Sequence, residues 1–487
     1  MATESINSRS EELEIPTESP FINDALNNRA QFAHLMTQIV NLYGDKGCVL
    51  SLNGQWGSGK TTFVKMWEKQ LKNDGYRTAY FNAWKYDYTD NPLVALVSQL
   101  EQISGGENTA FKNIVSCIGR ISFNLLGVLI KSLAKKHLGA DIQDFINAAS
   151  ETATEIGSEA LQSFKEQSQT LVDFKKYLSE FVASPSTDSE NCKKPVIFFI
   201  DELDRCNPTY AVKTLEIVKH LFDVPNIVFV LSINKEQLCY AIQGYYGSSE
   251  MNAAEYLKRF IDIEMNLPEG NIESYCRTLL DKFNFDSYFD VRKMHQAYQS
   301  DKEQFIDGAV KICKHKHLNL RAIEKLFAQC RLSLMDYSFN HKFMPDVFFY
   351  LCYLRGNDAP MYDKIASQQY SMQQLIEALE EELPEDMLAA SKEDDNAITS
   401  DGGFVNWLIA MMMFLYANPY NRDTPREWHR TEDGKKMETS LKFNKCDKDK
   451  IMHILLRISN DTDNQYLDMG FVLNKIELLD YVNFNNF

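Results

Sequence analysis

The sequence is short of positive charge. Lys and Arg number 51 against 68 Asp and Glu, a formal net charge of −17 at pH 7. A field of that sign repels nucleic acid and anionic lipid at long range, so direct nucleic-acid binding is not favoured. The 10 Cys form no CxxC pair and no regular spacing, which argues against a disulfide framework. Cys48, Cys239 and Cys352 sit among apolar residues and read as buried thiols of a reducing cytoplasm. No apolar run reaches the roughly 20 residues a membrane crossing needs. ISFNLLGVLI between Arg120 and Lys131 is too short, and FVNWLIAMMMFLYA (404–417) is short and carries Asn406. Both read as buried helices. Lys131, Lys135 and Lys136 flank an apolar face, which leaves a membrane-surface role open for 111–135. The opening MATESINSRSEELEIPTESP has no basic stretch followed by an apolar one, so no signal peptide is expected. No internal repeat is visible. The cluster HKH at 315–317 lacks Cys or carboxylate partners at ligand spacing, and reads as a solvated helix end.

What is present is ample core material. The 487 residues are 44% apolar, with 30 Phe and 23 Tyr, enough for two or three domains. Residues 1–21 read as a polar tail. RAQFAHLMTQIVNLYG follows as a helix with Phe32, Leu35, Ile39 and Leu42 on one face. Strands are expected at CVLSL (48–52), TAYFNAW (78–84), VIFFI (196–200), IVFVLSI (227–233) and RFIDIEMNL (259–267). Runs as apolar as VIFFI and IVFVLSI fit strands buried on both faces of a parallel sheet. Strands alternating with helices make an α/β, doubly wound core over 22–270. A helical insert interrupts it at about 92–188, with patterns at 93–103, 111–138 and 141–182. Residues 271–335 read as a small helical lid, and 336–487 as a C-terminal helical domain. Within the latter, 377–403 is acidic and is expected to include an exposed loop, and 424–436 is a polar connection.

GQWGSGKTT (54–62) matches G-x-x-x-x-G-K-[ST] through Gly54, Gly59, Lys60 and Thr61. Glycines let the loop turn its N–H groups inward, and those groups with the following helix start cradle phosphates. The whole run Gly54, Gln55, Trp56, Gly57, Ser58, Gly59, Lys60, Thr61 and Thr62 is therefore the candidate nucleotide cradle. Lys60 reaches the β/γ-phosphates and the Thr61 hydroxyl ligates Mg²⁺. Trp56 either stacks on a neighbouring element or shields the loop.

A phosphate loop of this kind asks for a second strand ending in acid, and VIFFIDELDR supplies it. Asp201 is placed to hold Mg²⁺ and Glu202 to orient the attacking water, each set against the plainer reading of a solvated acidic turn. Asp204 either joins this cluster or caps the next helix. Arg205 either senses charge or pairs with a local carboxylate. At the end of IVFVLSI, Ser232 or Asn234 stands near the γ-phosphate, or Asn234 caps the helix that KEQLCYAIQGYY forms. Arg259 and Arg321 are candidates to bring positive charge to the transition state, in cis or from a neighbouring subunit, or else are ordinary surface arginines. Trp84, Tyr86 and Asp87 read mainly as packing at a strand end, with a nucleotide or partner contact as the other reading for Asp87. No N/T-K-x-D guanine-reading signature appears, which favours ATP over GTP.

Together these segments resemble the KAP family of P-loop NTPases. The match is carried by GQWGSGKTT, YFNAWKYD (80–87), VIFFIDELDRCNP, VFVLSINKEQL (228–238), AAEYLKRFIDIEMNLP (253–268) and NLRAIEKLF (319–327), in family order over roughly residues 25–335. The resemblance implies an additional-strand (ASCE, STAND-like) ATPase core in which the phosphate-loop strand is not adjacent to the acidic strand. It implies ATP or GTP with Mg²⁺, and an insert that in relatives often carries transmembrane helices; here the insert looks too short in apolar run to span. The family box usually reads D-D-L-D-R. Glu202 at its second acid favours hydrolysis, and Asn234 stands where an Asp is usual. Bacterial members resemble phage-exclusion and other defence proteins. The function expected is therefore Mg²⁺-dependent ATP hydrolysis coupled to conformational switching and partner assembly in a cytoplasmic anti-phage system. Its partners would be proteins, encoded for instance in the same operon, within an oligomer or hetero-complex. The alternative is a nucleotide-dependent scaffold with little turnover.

Overall fold

Two parallel strands that are apolar on both faces organise the first half of the chain. The computed structural model describes residues 15–89, 91–104, 108–121, 158–184, 194–294, 298–336, 344–393, 400–417, 426–460 and 469–477. Most of the membrane-surface candidate at 111–135, from residue 122 on, and part of the insert lie outside them. The chain divides into two compact units, one built on Asn28–Glu269 and the other on Gly270 onward.

In the first unit the order is α1 (Arg29–Tyr43), β1 (Cys48–Asn53), α2 (Lys60–Asn73), β2 (Thr78–Asn82), α3 (Pro92–Leu100), α4 (Thr109–Arg120), α5 (Ser158–Ala183), β3 (Val196–Asp201), α6 (Pro208–Leu221), β4 (Ile227–Ile233), α7 (Lys235–Tyr246), α8 (Ala253–Leu257) and β5 (Ile263–Asn266). The five strands form one parallel sheet in the order β2-β3-β4-β1-β5. Every residue of β3 and β4 is buried, as runs covered by helices on both faces must be. The phosphate-loop strand β1 and the acidic strand β3 are separated by β4, the additional-strand arrangement. Helices α3, α4 and α5 form the described part of the insert between β2 and β3.

Three local expectations change. The buried face of α1 is Arg29, Phe32, Ala33, Met36 and Val40, at helical spacing, whereas Leu35 is 43% and Leu42 69% exposed. Strand β2 stops at Asn82 because its side chain accepts from the Lys85 N–H and starts a 3₁₀ turn over Ala83–Tyr86. Strand β5 begins only at Ile263. Residues 259–260 instead close the end of α8, with the Arg259 and Phe260 N–H groups donating to the Tyr256 and Leu257 carbonyls.

The second unit is helical: α9 (Ile272–Lys282), α10 (Asp286–Arg292), α11 (Asp301–His315), α12 (Leu320–Ser333), α13 (Pro345–Asn357), α14 (Ala359–Ala366), α15 (Met372–Glu382), α16 (Glu385–Glu393), α17 (Asp401–Tyr416), a β6–β7 hairpin (Trp428–Arg430, Met437–Thr439), α18 (Lys448–Asn460) and α19 (Met469–Glu477). One apolar core runs through it. Phe305 and Phe327 both stack edge-on against Phe349 at 5.5 and 5.7 Å, so helices on either side of residue 335 share it. Helix α17 is buried almost all round, and the Asn406 amide donates to the Ser391 carbonyl at 3.0 Å. No helix among the described residues is long and apolar enough to cross a membrane. The acidic stretch after 377 is mostly helical (α15, α16), and residues 394–399 lie outside the described part. The polar connection at 424–436 is largely the turn of the hairpin.

His315 is not a solvated helix end. It closes α11 between two carboxylates, Nδ1 at 2.6 Å from Asp386 Oδ2 and Nε2 at 3.1 Å from Asp401 Oδ2. Beside it, Lys316 pairs with Glu382 at 2.5 Å. No group of three or more His, Cys, Asp or Glu among the described residues is arranged to hold a metal. The cysteines among the described residues are free thiols. Cys352 is buried as expected, while Cys48 and Cys239 are half-buried.

Candidate functional site

The parallel register brings the chemistry-bearing residues to one edge of the sheet. Asn53 of β1 lies opposite Ile233 of β4 and Asn266 of β5; Asp201 of β3 lies opposite Ser232 of β4 and Asn82 of β2. In open α/β sheets this carboxyl edge is where ligands bind.

The loop leaves β1 through Gly54, whose N–H continues the ladder to the Ile233 carbonyl at 3.1 Å. A Cβ at Gly54 would stand 2.9 Å from Ser58 Oγ and 3.2 Å from Lys60 Cγ, so a side chain here would crowd the serine and the lysine. Gly59, at φ 84°, turns the chain into α2, which starts at Lys60. Lys60 is only 9% exposed, and its Nζ donates to the Gly54 and Gln55 carbonyls at 2.5 and 3.0 Å. Burial pulls its ammonium below the usual lysine range, opposed by Asp204 and Asp201. Thr61 and Thr62 occupy the first turn of α2.

On the acidic strand, Asp201 is 1% exposed. Its Oδ2 accepts from the Tyr80 hydroxyl at 2.9 Å and its Oδ1 from the Glu202 N–H at 3.0 Å. Glu202 sits in the left-handed region at φ 61°, an unfavourable conformation for a residue with a Cβ. Its carboxylate is held from both sides, by Asn82 Nδ2 at 2.8 Å and Arg205 Nη1 at 2.7 Å. The Arg205 guanidinium lies over the Trp84 ring at 5.5 Å. Arg205 thus takes the local carboxylate of its two readings.

Asp204 does not cap the next helix. Asn207 does so, accepting from the Thr209 N–H, and Asp87 in turn accepts from the Asn207 N–H at 3.2 Å. Asp204 is buried and receives the Trp56 indole N–H at 2.6 Å. The tryptophan in the loop is therefore tied to the acidic box. Tyr86 stacks on Phe81 at 5.3 Å, the packing role. Asn234 caps α7, accepting from the Glu236 and Gln237 N–H groups. Ser232 is fully buried, and its hydroxyl has no partner among the described residues.

Arg259 is exposed in the turn after α8, its guanidinium 5.8 Å from the Tyr256 ring. Arg321 is exposed in the first turn of α12, in the second unit. Three residues escaped the sequence reading: Tyr80, Asn82 and Arg29. The alternation of β2 puts Tyr80 and Asn82 on one side of the strand, a signal that was available. Arg29 is a buried arginine whose guanidinium reaches the carbonyl of Ser58 in the loop.

This donor set fits a nucleotide with a divalent cation. The buried Asp201 carboxylate lies opposite Ser232, whose hydroxyl has no partner among the described residues, and interacts electrostatically with Lys60, which donates to loop carbonyls, while Thr61 stands in the first turn of the helix that the loop enters. A family model described as the KAP family P-loop domain matches residues 28–333. No curated protein matches the chain. Among solved structures, the chain is similar to the Aeropyrum pernix ORC2 protein in its ADPNP–ADP complexes, at 11% identity over 92% of this chain and 97% of that one, with a TM-score of 0.36. It is also similar to a DNA replication initiation factor, at 10% identity over 71% of this chain and 87% of that one, with a TM-score of 0.25. Likenesses at that level carry no argument about activity or assembly.

Proposed function

This chain belongs to the KAP family of P-loop NTPases, and we propose that it binds ATP with Mg²⁺ at the loop 54–62 and hydrolyses it. In this reading the loop N–H groups and Lys60 hold the phosphates, and Thr61 and Asp201 hold the cation. A Mg²⁺ ion held by these two residues would supply positive charge against the phosphates. Glu202 orients the attacking water, Ser232 offers its unpartnered hydroxyl to the γ-phosphate or the water, and Arg259 and Arg321 are the candidates to bring further positive charge. The observation that carries the reading is Glu202. It is held between Asn82 and Arg205, next to a buried aspartate, on the edge from which the phosphate loop springs.

The wider reading is that nucleotide state changes the surface offered to protein partners, in an oligomer or hetero-complex of a cytoplasmic defence system. Support for the defence setting comes from the family resemblance alone. The division into a core (22–270), a lid (271–335) and a C-terminal helical domain (336–487) belongs to the same proposal.

The rival is a nucleotide-dependent scaffold with little turnover. It draws on Glu202 being bonded on both oxygens. Phosphate release with Mg²⁺-ATP decides between them, measured with and without candidate operon-encoded partners. Wild type should release phosphate, and Glu202→Gln should bind ATP yet release at least about a hundredfold less. Binding without Mg²⁺-dependent release by wild type, partners included, establishes the scaffold.

A further inference from the structure

Arg29 is the first residue of α1 and is only 4% exposed. Its guanidinium spans two carbonyls from distant parts of the chain. Nη2 donates to Ser58 in the phosphate loop at 3.2 Å, and Nη1 donates to Pro268, just past β5, at 2.7 Å. The Arg29 N–H itself donates to Asp24 Oδ2 at 2.8 Å, which fixes the start of the helix.

The Ser58 carbonyl belongs to the peptide that joins Ser58 to Gly59. No cis peptide bond occurs among the described residues, so across this planar unit the C=O and the following N–H point in opposite directions. A guanidinium that holds the Ser58 oxygen from behind therefore sets the direction of the Gly59 N–H, aiming it away from Arg29. Gly59 is also the residue at φ 84° through which the loop enters α2 at Lys60. Because glycine at positive φ has an open conformational choice, the loop needs an external hold there.

We propose that Arg29 is a positioning residue for phosphate binding, acting through the Ser58–Gly59 peptide. Its second arm anchors that hold to the chain leaving β5, so loop and sheet exit keep a fixed spacing. The task suits arginine rather than lysine, because a planar fork can serve two carbonyls at once while an ammonium is a compact point charge. The proposal rests on nucleotide binding at 54–62.

The test compares wild type, Arg29→Lys and Arg29→Met by calorimetric titration with ATP, ADP and inorganic tripolyphosphate, alongside melting temperature and circular dichroism without ligand. Arg29→Met should lose about tenfold or more in affinity for all three, and Arg29→Lys should fall in between. In steady state KM should rise more than kcat falls. Methylguanidinium at low millimolar concentration should restore part of the ATP affinity of Arg29→Met, which a loss of general stability would not allow. Should Arg29→Met fail to fold, Arg29→Lys decides by the same titration. If wild type binds ATP and the folded variants bind it within about twofold, the inference falls while the proposed function stands. If wild type binds none of the ligands, the proposed function fails and takes this inference with it.

Discussion

Tyr80 and Asp201, 121 residues apart in sequence, meet at 2.9 Å, the phenol donating to a carboxylate oxygen. The pairing follows from the register, which sets β2 beside β3 with Asn82 opposite Asp201. Burial, with Asp201 next, raises the Tyr80 phenol far above the usual tyrosine range, so it stays a donor at any working pH. If Asp201 holds the cation as proposed, a donor that fixes its carboxylate tunes that cation from behind. Tyr80→Phe should weaken the Mg²⁺ dependence of hydrolysis by about tenfold in half-saturating Mg²⁺. Nucleotide binding without Mg²⁺ should hold steady. A Mg²⁺ titration of phosphate release in both proteins checks this, and superimposable curves rule the role out.

Asn82 offers a second, separable test. Its amide holds Glu202 Oε2 while Arg205 holds Oε1. With Asn82→Ala the carboxylate keeps its ion pair and loses its orientation. The expected result is a fall in kcat of about tenfold with ATP affinity within about twofold. Equal losses in both would show that Asn82 supports the loop rather than the acid.

How much of this was legible depends on how local each signal is. The loop 54–62 is a contiguous spacing, and β3 and β4 are contiguous apolar runs, so sequence and structure agree on them. The strand order followed from the family resemblance and not from the residues. The alternation of β2 puts Tyr80 and Asn82 on one side of the strand, but which residues they meet was not legible, and neither was the role of Arg29. Their partners lie 121, 120 and, for the Pro268 carbonyl, 239 residues away; sheet register brings the first two close, and the third is met where α1 starts beside the chain leaving β5. His315 is the same case on helices, its two carboxylates being 71 and 86 residues distant. Of the two readings left open for Asp204, it joins the acidic cluster through Trp56 and does not cap the next helix. The cap is Asn207, which the sequence reading did not name, immediately before the Pro at the first helical position.

In the helical unit, Glu380 is 2% exposed and accepts three backbone N–H groups, from Asn444 at 3.0 Å, Lys445 at 2.7 Å and Cys446 at 2.9 Å. It holds the segment between the hairpin and α18. Glu380→Ala leaves those donors without partners and should cost about 2–4 kcal/mol, seen as a lower melting temperature. Glu380→Gln keeps an acceptor oxygen and should cost less. An unchanged melting temperature in Glu380→Ala would show that water serves the loop equally well.

Asp346 gives a pH test whose sign is fixed. It is buried in the first turn of α13, and a Cβ on Gly308 of α11 would touch its Oδ1 at 2.8 Å. Burial and then Asp307 raise its carboxyl from 3.8 to about 7, opposed by Lys311 and a hydrogen bond with Trp407. Between those two values the unfolded chain has released a proton that the folded chain keeps. Asp346 therefore costs nothing below about pH 4, its contribution worsens as pH rises toward 7, and the penalty is constant above that. At about 1.4 kcal/mol per unit, the full penalty has an upper bound of about 4 kcal/mol. Asp346→Asn removes the titration and retains an acceptor for Trp407. Its melting temperature should match wild type near pH 4, exceed it increasingly through pH 5 and 6, and hold a steady advantage from pH 7.5 upward. A difference that does not change with pH would mean that Asp346 is ionised throughout, with Lys311 and Trp407 outweighing its burial.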